Sequence, residues 1–381
     1  MAKKLRVGIL FGGRSGEHEV SLLSAASILK AVDRKKFDVV PVGITKTGSW
    51  LTGGGAQALL TGGSQTSIPA IEPVSASADT VTALVPDASA LSGSGKLFDV
   101  VFPVLHGTFG EDGTIQGLFE LADIPYVGSG VLGSSAGMDK DVMKRLFSAA
   151  GLPIVKHVSV LRSEWEKSPR KTVSAIEAEL KYPLFVKPAN LGSSVGISKA
   201  HDRKELGPAL KLAAKFDRKL VIEQGVTGSG KAGLGKKARE LEVAVLGNDD
   251  PKASVVGEII PGKEFYDYEA KYLSDGSIPV IPARLTAAES KQIRAMAVEA
   301  FRACDLAGLA RVDFLMEPDG KRRIYLNEVN TLPGFTSISM YPKLWQATGL
   351  GYSELITRLI ELAIERHSER ARTSFSFEAM A

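Results

Sequence analysis

Two acidic residues, Asp313 and Glu328, stand fifteen positions apart in a segment whose residue types and spacing could bind a metal ion. Each lies in a run of alternating apolar and polar residues, and a Pro-Asp-Gly turn at 318–320 separates the two runs. Alternating runs on either side of a turn signal predict a β-hairpin. If the loop has an even number of residues, Asp313 faces Glu328 across the hairpin, and Arg311 faces Asn330.

This pairing of carboxylates requires a compensating charge. Cross-strand partners have Cβ atoms about 5 Å apart, and like charges placed there repel each other. Two carboxylates and one amide oxygen, with room left for water and phosphate oxygens, suit Mg²⁺ better than an all-protein Ca²⁺ cage. A solvated sheet face with ordinary charges is the alternative, and the spacing alone does not decide between them.

A second segment, residues 183–197, has the features of a phosphate-binding flap. An apolar strand ends in Lys187, and a Gly/Ser turn that includes Gly192 and Ser194 leads into another short strand. Backbone amides in such a turn can lie against an anion while the lysine ammonium approaches from below. A hairpin turn with an exposed lysine is the alternative.

Two other glycine-rich segments look like phosphate loops but lack essential features. Residues 12–16 lack the G-x-G-x-x-G spacing of dinucleotide-binding turns. Residues 230–237 match G-x-x-x-x-G-K, but Lys237 replaces the metal-binding Ser or Thr. The alternating residues from Arg239 to Leu246 predict a strand, whereas a P-loop opens a helix. We interpret 230–237 as a basic surface loop.

Composition narrows the class of protein. The 381 residues are 44% hydrophobic and 24% charged, which describes an ordinary globular protein with room for two or three domains. The net charge of +4 is spread along the chain, so acidic small molecules are better expected partners than nucleic acid. Cys304 is the only cysteine, which excludes an intrachain disulfide. The N-terminal apolar run is interpreted as a strand, not a signal peptide, and no run approaches the ~18 apolar residues of a spanning helix, so a cytoplasmic enzyme without a membrane partner is expected.

Strand and helix signals alternate along the chain and predict the α/β class. We divide the chain into an N-terminal open α/β block at 1–137, a central block at 138–226 and a C-terminal block at 227–381. Residues 52–95 are rich in Gly, Ser and Ala and are interpreted as a loop or hairpin excursion. Besides the hairpin, strands are expected at 5–11, 37–44, 98–105, 155–160, 184–187, 220–223, 239–246 and 254–260. Helices are expected at 22–29, 115–121, 139–149, 173–180, 287–304 and 352–367.

Seven segments spread over residues 5–345 resemble, in the same order, the D-alanine–D-alanine ligases of the ATP-grasp superfamily. They include the hairpin, the flap and a tyrosine-rich run. The segments are 12–21, 106–113, 138–140, 186–196, 265–272, 311–313 and 328–336.

The resemblance implies a three-domain ATP-grasp fold with a Rossmann-like N-terminal domain. ATP is expected between the second and third blocks, and two D-alanines where all three blocks meet. In the family, ATP phosphorylates the carboxylate of the first D-alanine, and the amine of the second attacks the acylphosphate. The product, D-alanyl-D-alanine, serves peptidoglycan precursor synthesis, and the enzyme is expected to be a cytoplasmic homodimer.

The resemblance also assigns roles to individual residues. Two Mg²⁺ ions, for which Mn²⁺ is an alternative, are expected on Asp313, Glu328 and Asn330. The residues expected to bind ATP are Lys140, Lys187, Ser194, Glu223, Glu240 and Lys271. The residues expected at the reacting centre are Glu17, Ser193, Tyr272, Arg311, Gly334 and Ser339.

The roles at the reacting centre follow the order of the reaction. Glu17 is expected to bind the ammonium of the first D-alanine and to form a hydrogen-bonded set with Ser193 and Tyr272, which relays a proton from the attacking amine. Arg311 and the Gly334 amide are expected to form an oxyanion hole for the tetrahedral intermediate.

Three further positions concern the two amino acids. Ser339 and Met340 match the positions that hold the second substrate. His106 matches a position near the first.

One departure from the family leaves an assignment open. The stretch 227–237 is longer than the resemblance leads us to expect, so Glu242, two residues beyond Glu240 on the same strand face, remains an alternative ribose-binding residue. Tyr272 lies in a tyrosine-rich loop, which favours an amine as the second substrate over a hydroxy acid.

Other functions remain open at this point. The chain could join D-alanine to D-serine or D-lactate, or be another carboxylate–amine ligase of the superfamily. A nucleotide-binding regulatory protein without turnover is the alternative from another class, although it would have no chemical reason to keep the full set of charged residues.

Overall fold

The computed structural model describes residues 4–61, 98–228, 236–260 and 277–374, and three sheets organise this part of the chain. In the first sheet, β1 (Leu5–Gly12) lies between β2 (Phe37–Ile44) and β4 (Val100–Val104), and both pairings are parallel. β3 (Trp50–Thr52) pairs antiparallel to β2 at the edge. Most residues of β1, β2 and β4 are buried, as expected for parallel strands that are covered on both faces.

The second sheet has the strand order β5-β8-β6-β7 and is antiparallel throughout. Its strands are β5 (His157–Leu161), β6 (Leu184–Pro188), β7 (Ser198–Ala200) and β8 (Lys219–Gln224). The Gly/Ser turn joins β6 to the short strand β7, which is the hairpin geometry predicted for the flap.

The third sheet has the strand order β11-β10-β9-β12-β13, with antiparallel neighbours. Its strand β9 begins at Arg239, so the prediction of a strand from Arg239 to Leu246 is confirmed. Its strands are β9 (Arg239–Gly247), β10 (Lys252–Ile260), β11 (Ile278–Val280), β12 (Gly308–Met316) and β13 (Ile324–Asn330).

Helices cover these sheets. None of the helices within the described ranges is long and apolar enough to cross a membrane. In chain order they are α1 (His18–Ala31), α2 (Gly53–Thr61), α3 (Thr114–Leu121), α4 (Val131–Met138), α5 (Lys140–Ala149), α6 (Arg162–Lys167), α7 (Pro169–Glu179), α8 (Arg203–Ala213), α9 (Ala287–Ala303), α10 (Met340–Thr348) and α11 (Tyr352–Arg370).

The interpretation of residues 52–95 as a loop or hairpin excursion is wrong at its start. Residues 53–61 form α2, because Ala56 and Leu60 lie one helical turn apart and are both buried in the first core. That burial outweighs the low helix propensity of the three glycines that open the segment. The remainder, 62–95, lies outside the described residues.

Two hydrophobic cores join parts of the chain that the sequence assigned to different blocks. In the first, Phe102 of the first sheet shares a cluster with Ile360 of α11, near the end of the chain. In the second, Phe147 of α5 shares a cluster with Val312 of the third sheet. The boundaries after residues 137 and 226 stay a prediction. The packing brings α5, the first sheet and the third sheet together around one cleft.

Candidate active site

The hairpin pairs its charged residues as predicted, although the condition of an even loop is not met, because Met316 pairs with Ile324 and seven residues lie between them. Arg311 lies opposite Asn330, and Asp313 lies opposite Glu328. One further residue, Asn327, bulges from β13, because the register shifts immediately after Asp313. A bulge re-aims neighbouring groups, and here it directs the carbonyl and side chain of Asn327 toward two lysines.

The two carboxylates of the hairpin have cationic neighbours. The Arg311 guanidinium donates two hydrogen bonds to Asp313, from Nε at 2.8 Å and from Nη2 at 2.7 Å. Asn330 Nδ2 donates to Asp313 Oδ2 at 3.0 Å, and Lys140 Nζ lies 3.7 Å from Glu328 Oε2. Arg311 and Lys140 thus offset the repulsion between the two carboxylates, a pairing that was not predicted from the sequence.

The oxygen donors of the hairpin fit a divalent metal ion that is shared with phosphate. Over the described ranges, no three His, Cys, Asp or Glu side chains come together as a metal site built by protein alone. Two carboxylates and an amide supply only part of a coordination shell, and Mg²⁺ commonly completes its shell with water and substrate phosphates. The residues that would hold it are Asp313, Glu328 and Asn330.

Lys140 is positioned by the start of α5. Asp139 caps this helix by accepting hydrogen bonds from the amides of Asp141 and Val142. A 2.7 Å ion pair with Lys219 holds the cap in place. Lys140 follows as the first helical residue, and its Nζ donates to the carbonyl of Leu191 in the flap at 2.8 Å. The motif at 138–140 is therefore a helix cap followed by a cation under the flap.

A buried trio of charges lies between α5 and the second sheet. Glu223 Oε2 is 2.7 Å from Lys187 Nζ, and Glu223 Oε1 is 3.0 Å from Lys144 Nζ. Burial acts to raise the pKa of Glu223, but the two ammonium groups lower it to about 2. Burial lowers the pKa of Lys144, whereas the carboxylates of Glu223 and Glu328 outweigh burial and raise that of Lys187.

Lys144 was not among the site residues predicted from the sequence. A signal was present, because Lys144 lies four residues after Lys140 and therefore on the same face of α5. Its side chain is fully buried, and its Nζ also donates to the bulged carbonyl of Asn327 at 3.2 Å.

Glu240 and Glu242 have different neighbours, although they share a strand face. Glu242 is buried, with Oε2 3.3 Å from Arg311 Nε. The charge of Glu240 contributes to the raised pKa of Lys187.

The flap meets the first sheet through Glu17. Ser193 Oγ donates a hydrogen bond to Glu17 Oε1, and Glu17 is the residue that precedes α1. Ser193 and Ser194 have φ angles of 49° and 60°, in the left-handed region that non-glycine residues rarely adopt. Strained serines at a ligand loop are typical of functional turns. Tyr272 and Lys271, predicted to complete the set, lie outside the described residues.

His106 and Glu111 connect the segment 106–113 to the loop that carries Leu332. His106 Nδ1 is 2.9 Å from the Leu332 carbonyl, and Glu111 accepts hydrogen bonds from Gly107 N at 2.7 Å and Leu332 N at 3.1 Å. Burial lowers the pKa of His106. Burial and the charge of Glu17 raise the pKa of Glu111 to about 8. Glu111 lies in the segment 106–113, but the sequence did not predict its hydrogen bonds to these two backbone amides.

The raised pKa of Glu111 predicts a pH effect on stability. The folded state binds this proton more tightly than the unfolded chain, in which a Glu ionises near pH 4.5. The associated stability is therefore fully present below that pH and is lost as the pH rises through about 8. Glu111→Gln resembles the protonated form and should flatten this loss in denaturant unfolding measured from about pH 5 to 9. If the free energy of unfolding changes with pH by the same slope in the variant and the parent, the prediction is contradicted.

Gly334 and Ser339 form the opposite end of the cleft. Ser339 precedes α10, and its Oγ accepts a hydrogen bond from Thr336 N at 3.1 Å. A Cβ on Gly334 would lie 3.2 Å from Ser339 Oγ, so a side chain there would crowd the turn. Buried Met340 opens α10, whose N-terminal amides carry partial positive charge and favour a carboxylate.

One cavity of about 540 Å³ brings most of these residues together. It is lined by groups from the first sheet, the flap, the hairpin and the start of α10. Of the predicted site residues, those that line it are Glu17, Lys140, Ser193, Ser194, Arg311, Glu328, Asn330, Gly334 and Ser339. Predicted residues that are described but do not line it are Lys187, Glu223, Glu240 and Asp313.

An α/β fold with a lysine-bearing flap set over an acidic hairpin defines a protein of the ATP-grasp class. Two family models match the chain: "D-ala D-ala ligase N-terminus" over residues 6–129 and "D-ala D-ala ligase C-terminus" over residues 146–361. The chain belongs to the D-alanine–D-alanine ligase family. Members of this family depend on ATP and generally use a divalent metal.

Similar proteins cover nearly the whole chain. The D-alanine–D-alanine ligase of Natranaerobius thermophilus is 50% identical over 382 residues, which covers 98% of this chain and 99% of that protein. That of Bacillus cytotoxicus is 49% identical over 380 residues, with 98% and 99% coverage.

Solved structures of the family superpose on this chain. The VanG D-Ala:D-Ser ligase of Enterococcus faecalis has a TM-score of 0.78 at 37% identity and covers 95% of this chain and 100% of that one. The D-alanine–D-alanine ligase of Coxiella burnetii has a TM-score of 0.76 at 34% identity, with 97% of each chain covered. The predicted family and ATP-grasp fold class are confirmed.

Proposed function

We propose that this protein joins two D-alanines into D-alanyl-D-alanine at the expense of ATP, through a D-alanyl phosphate, for peptidoglycan precursor synthesis. The observation that carries the proposal is a single cavity lined by Glu328 and Asn330 of the acidic hairpin, the flap serines and Glu17. Phosphate, metal and an amino acid ammonium each have a complementary group there. Membership of the family supports the choice of substrates.

The cleft must first activate a carboxylate, which is a poor electrophile because it is anionic and oxide is a poor leaving group. Transfer of the terminal phosphoryl group of ATP supplies a good leaving group. Lys140 lies under the flap, and Lys187 and Lys271 are proposed to bind phosphates with it as compact cations. The backbone amides around Ser194 would close over the phosphates.

The finer proposal for the metal is two Mg²⁺ ions, with Mn²⁺ as an alternative. Asp313, Glu328 and Asn330 would hold them. When bound, the ions would neutralise charge that develops on the phosphate oxygens.

Glu17 is proposed to hold the first D-alanine. Its carboxylate lines the cavity and already accepts a hydrogen bond from Ser193. An ammonium bound to Glu17 would bring the substrate carboxylate toward the phosphate end of the cavity. Ser193 with Tyr272 would then accept and relay the proton that the attacking amine loses.

The second D-alanine is proposed to bind at the start of α10. Ser339 and the free amides of the helix are placed to hold its carboxylate, which leaves the amine directed at the acylphosphate. Arg311 and the Gly334 amide line the same cavity and would donate to the oxyanion of the tetrahedral intermediate.

For the nucleotide, Glu223 is proposed to meet the adenine edge and Glu240 the ribose hydroxyls. Glu242 is less suited to the ribose, because it is buried against Arg311. Its proximity to Glu240 had left the choice open. Because Glu242 is paired with Arg311, we choose Glu240, which the resemblance matches to the ribose-binding carboxylate.

The finer points of organisation remain proposals. We propose three domains bounded at 1–137, 138–226 and 227–381, a homodimer and a cytoplasmic location where ATP and D-alanine are available. Light scattering would test the dimer by giving twice the mass of one chain.

D-serine as the second substrate is the competing function. It is favoured by the similarity to a D-Ala:D-Ser ligase. The two functions differ only in whether the second site accepts a hydroxymethyl side chain. They are separated by comparing product formed from D-alanine alone with product formed from equal D-alanine and D-serine.

The function is tested by coupled release of ADP, phosphate and dipeptide. D-alanine, ATP and Mg²⁺ together should yield all three products in equal amounts, whereas L-alanine should yield none. ATP hydrolysis that does not depend on D-alanine would contradict the proposal, as would a mixed product that dominates when D-serine is present.

A further inference from the structure

Lys144 is a buried cation with no role in the mechanism above. Its side chain is fully enclosed, and its Nζ contacts Glu223 Oε1 and the Asn327 carbonyl. Burial lowers the pKa of Lys144, and the Glu223 carboxylate 3.0 Å away opposes this and favours the charged form. Burying an ammonium is costly unless the charge is compensated. A lysine that is buried despite this unfavourable free energy is expected to have a structural or functional role.

The charges around Glu223 are unequal. One carboxylate is paired with two ammonium groups, Lys144 at 3.0 Å and Lys187 at 2.7 Å. The two lysines also differ in access, because the Lys187 side chain keeps 10% of its surface exposed and the Lys144 side chain keeps none. Of the two lysines, Lys187 is therefore the one whose side chain reaches the surface.

The two lysines also differ in what else holds them. Lys144 Nζ donates to the Asn327 carbonyl at 3.2 Å, whereas Lys187 Nζ is 3.5 Å from the Asn327 side chain. The longer contact is weak by the usual criteria for a hydrogen bond. Glu223 is therefore the main partner that Lys187 would have to leave.

We propose that Lys144 is a positioning residue that acts as the permanent counter-ion of Glu223 and so frees Lys187 to move to the nucleotide phosphates. The inference rests on the proposed function, which assigns Lys187 to phosphate and Glu223 to adenine. With Lys144 in place, Glu223 stays paired and oriented toward the base when Lys187 departs. Without it, the departure of Lys187 would leave a buried carboxylate unpaired, which is strongly unfavourable.

The decisive variant is Lys144→Met, which keeps much of the volume and removes the charge. It should fold, because Glu223 keeps Lys187 as a one-to-one partner, and a thermal unfolding midpoint checks this. Lys187 should then be held by Glu223, so the dissociation constant of ADP, measured by calorimetry, should rise by at least about 10-fold. KM for ATP should rise in parallel, with kcat at saturating ATP changed by less than about 3-fold.

A second substitution separates this role from simple packing. In Lys144→Met/Glu223→Gln, the neutral amide no longer holds Lys187, so ADP affinity should return to within about 3-fold of Glu223→Gln alone. A packing defect caused by the loss of Lys144 would not be repaired by a change at Glu223.

Arg145→Met is the matched control. Arg145 is next to Lys144 in α5, but its side chain is 72% exposed and pairs with Asp141 at 3.0 Å. This variant should keep the ADP affinity of the parent. An unchanged ADP affinity in Lys144→Met would overturn the proposal even if the parent makes dipeptide, and so would a double variant that binds ADP more than about 3-fold more weakly than Glu223→Gln alone. A parent that makes no dipeptide would instead overturn the proposed function.

Discussion

Replacing Glu328 by alanine is expected to lower the rate of dipeptide formation by at least about 10³-fold. Glu328 lies opposite Asp313 in the hairpin and lines the cavity with Asn330. Its loss removes one of two carboxylates from the proposed metal set and leaves Lys140 without its nearest carboxylate. Initial rates of ADP and dipeptide release at saturating ATP and D-alanine measure the effect.

A matched substitution in the same hairpin shows whether charge at the cleft matters. Asp319→Ala also removes one carboxylate, but at the turn, where Asp319 pairs with Lys236 at 3.3 Å and does not line the cavity. It should retain the parent rate within about 2-fold, as exposed ion pairs contribute little. Equal activity in Glu328→Ala and Asp319→Ala would remove the hairpin from the mechanism.

Local patterns in the sequence were sufficient to place the hairpin, but not to explain why its two acids pair. Alternation has a period of two, but Met316 pairs with Ile324, so the loop between the paired residues has seven residues and would by itself place Asp313 opposite Asn327. The extra residue of the bulge restores the predicted pairing of Asp313 with Glu328. The bulge at Asn327 was not predictable by the same argument, because a bulge adds a residue without changing the alternation on its partner strand. Short motifs therefore located the charged face but not the carbonyl that meets Lys144.

Burial of charged groups was the part that the sequence could not supply. Lys144 and Glu111 look like ordinary surface residues in the sequence, since Lys and Glu are rarely buried. Lys144 is enclosed and Glu111 is half-buried because distant segments pack against them: Glu223 is the partner of Lys144, and Leu332 is a partner of Glu111. Such contacts depend on tertiary packing, which one sequence does not report.

The missed helices have a related cause. Besides α2, the helices α4, α6, α8 and α10 were not predicted, and each has eleven residues or fewer, so that few buried positions repeat with helical spacing. In α10, for example, Tyr341, Leu344 and Trp345 are buried and follow helical spacing, directly after the Ser339 cap position. The resemblance matched Ser339 to a position that holds the second substrate, but it did not predict that a helix begins there. The partial positive charge at the N-terminus of that helix is what favours a substrate carboxylate.

Replacing Arg311 by methionine is expected to lower kcat by about 10²–10³-fold, the usual cost of removing one oxyanion donor. Arg311 lines the cavity and donates two hydrogen bonds to Asp313, with Glu242 3.3 Å away. Methionine would leave both carboxylates without this cation, so the variant should also unfold at lower temperature. Rates must therefore be measured well below its unfolding midpoint.

Arg311→Lys separates the two consequences of losing Arg311. Lysine keeps the positive charge between Asp313 and Glu242 but replaces the planar fork of donors with a point charge. Thermal stability should therefore largely return, while kcat stays depressed, because an ammonium that pairs with Asp313 has no second, fixed donor for the oxyanion. Recovery of kcat to within about 3-fold of the parent would show that charge alone is required. A parent-like kcat in Arg311→Met would exclude Arg311 from the oxyanion hole and leave it a structural partner of the acidic hairpin.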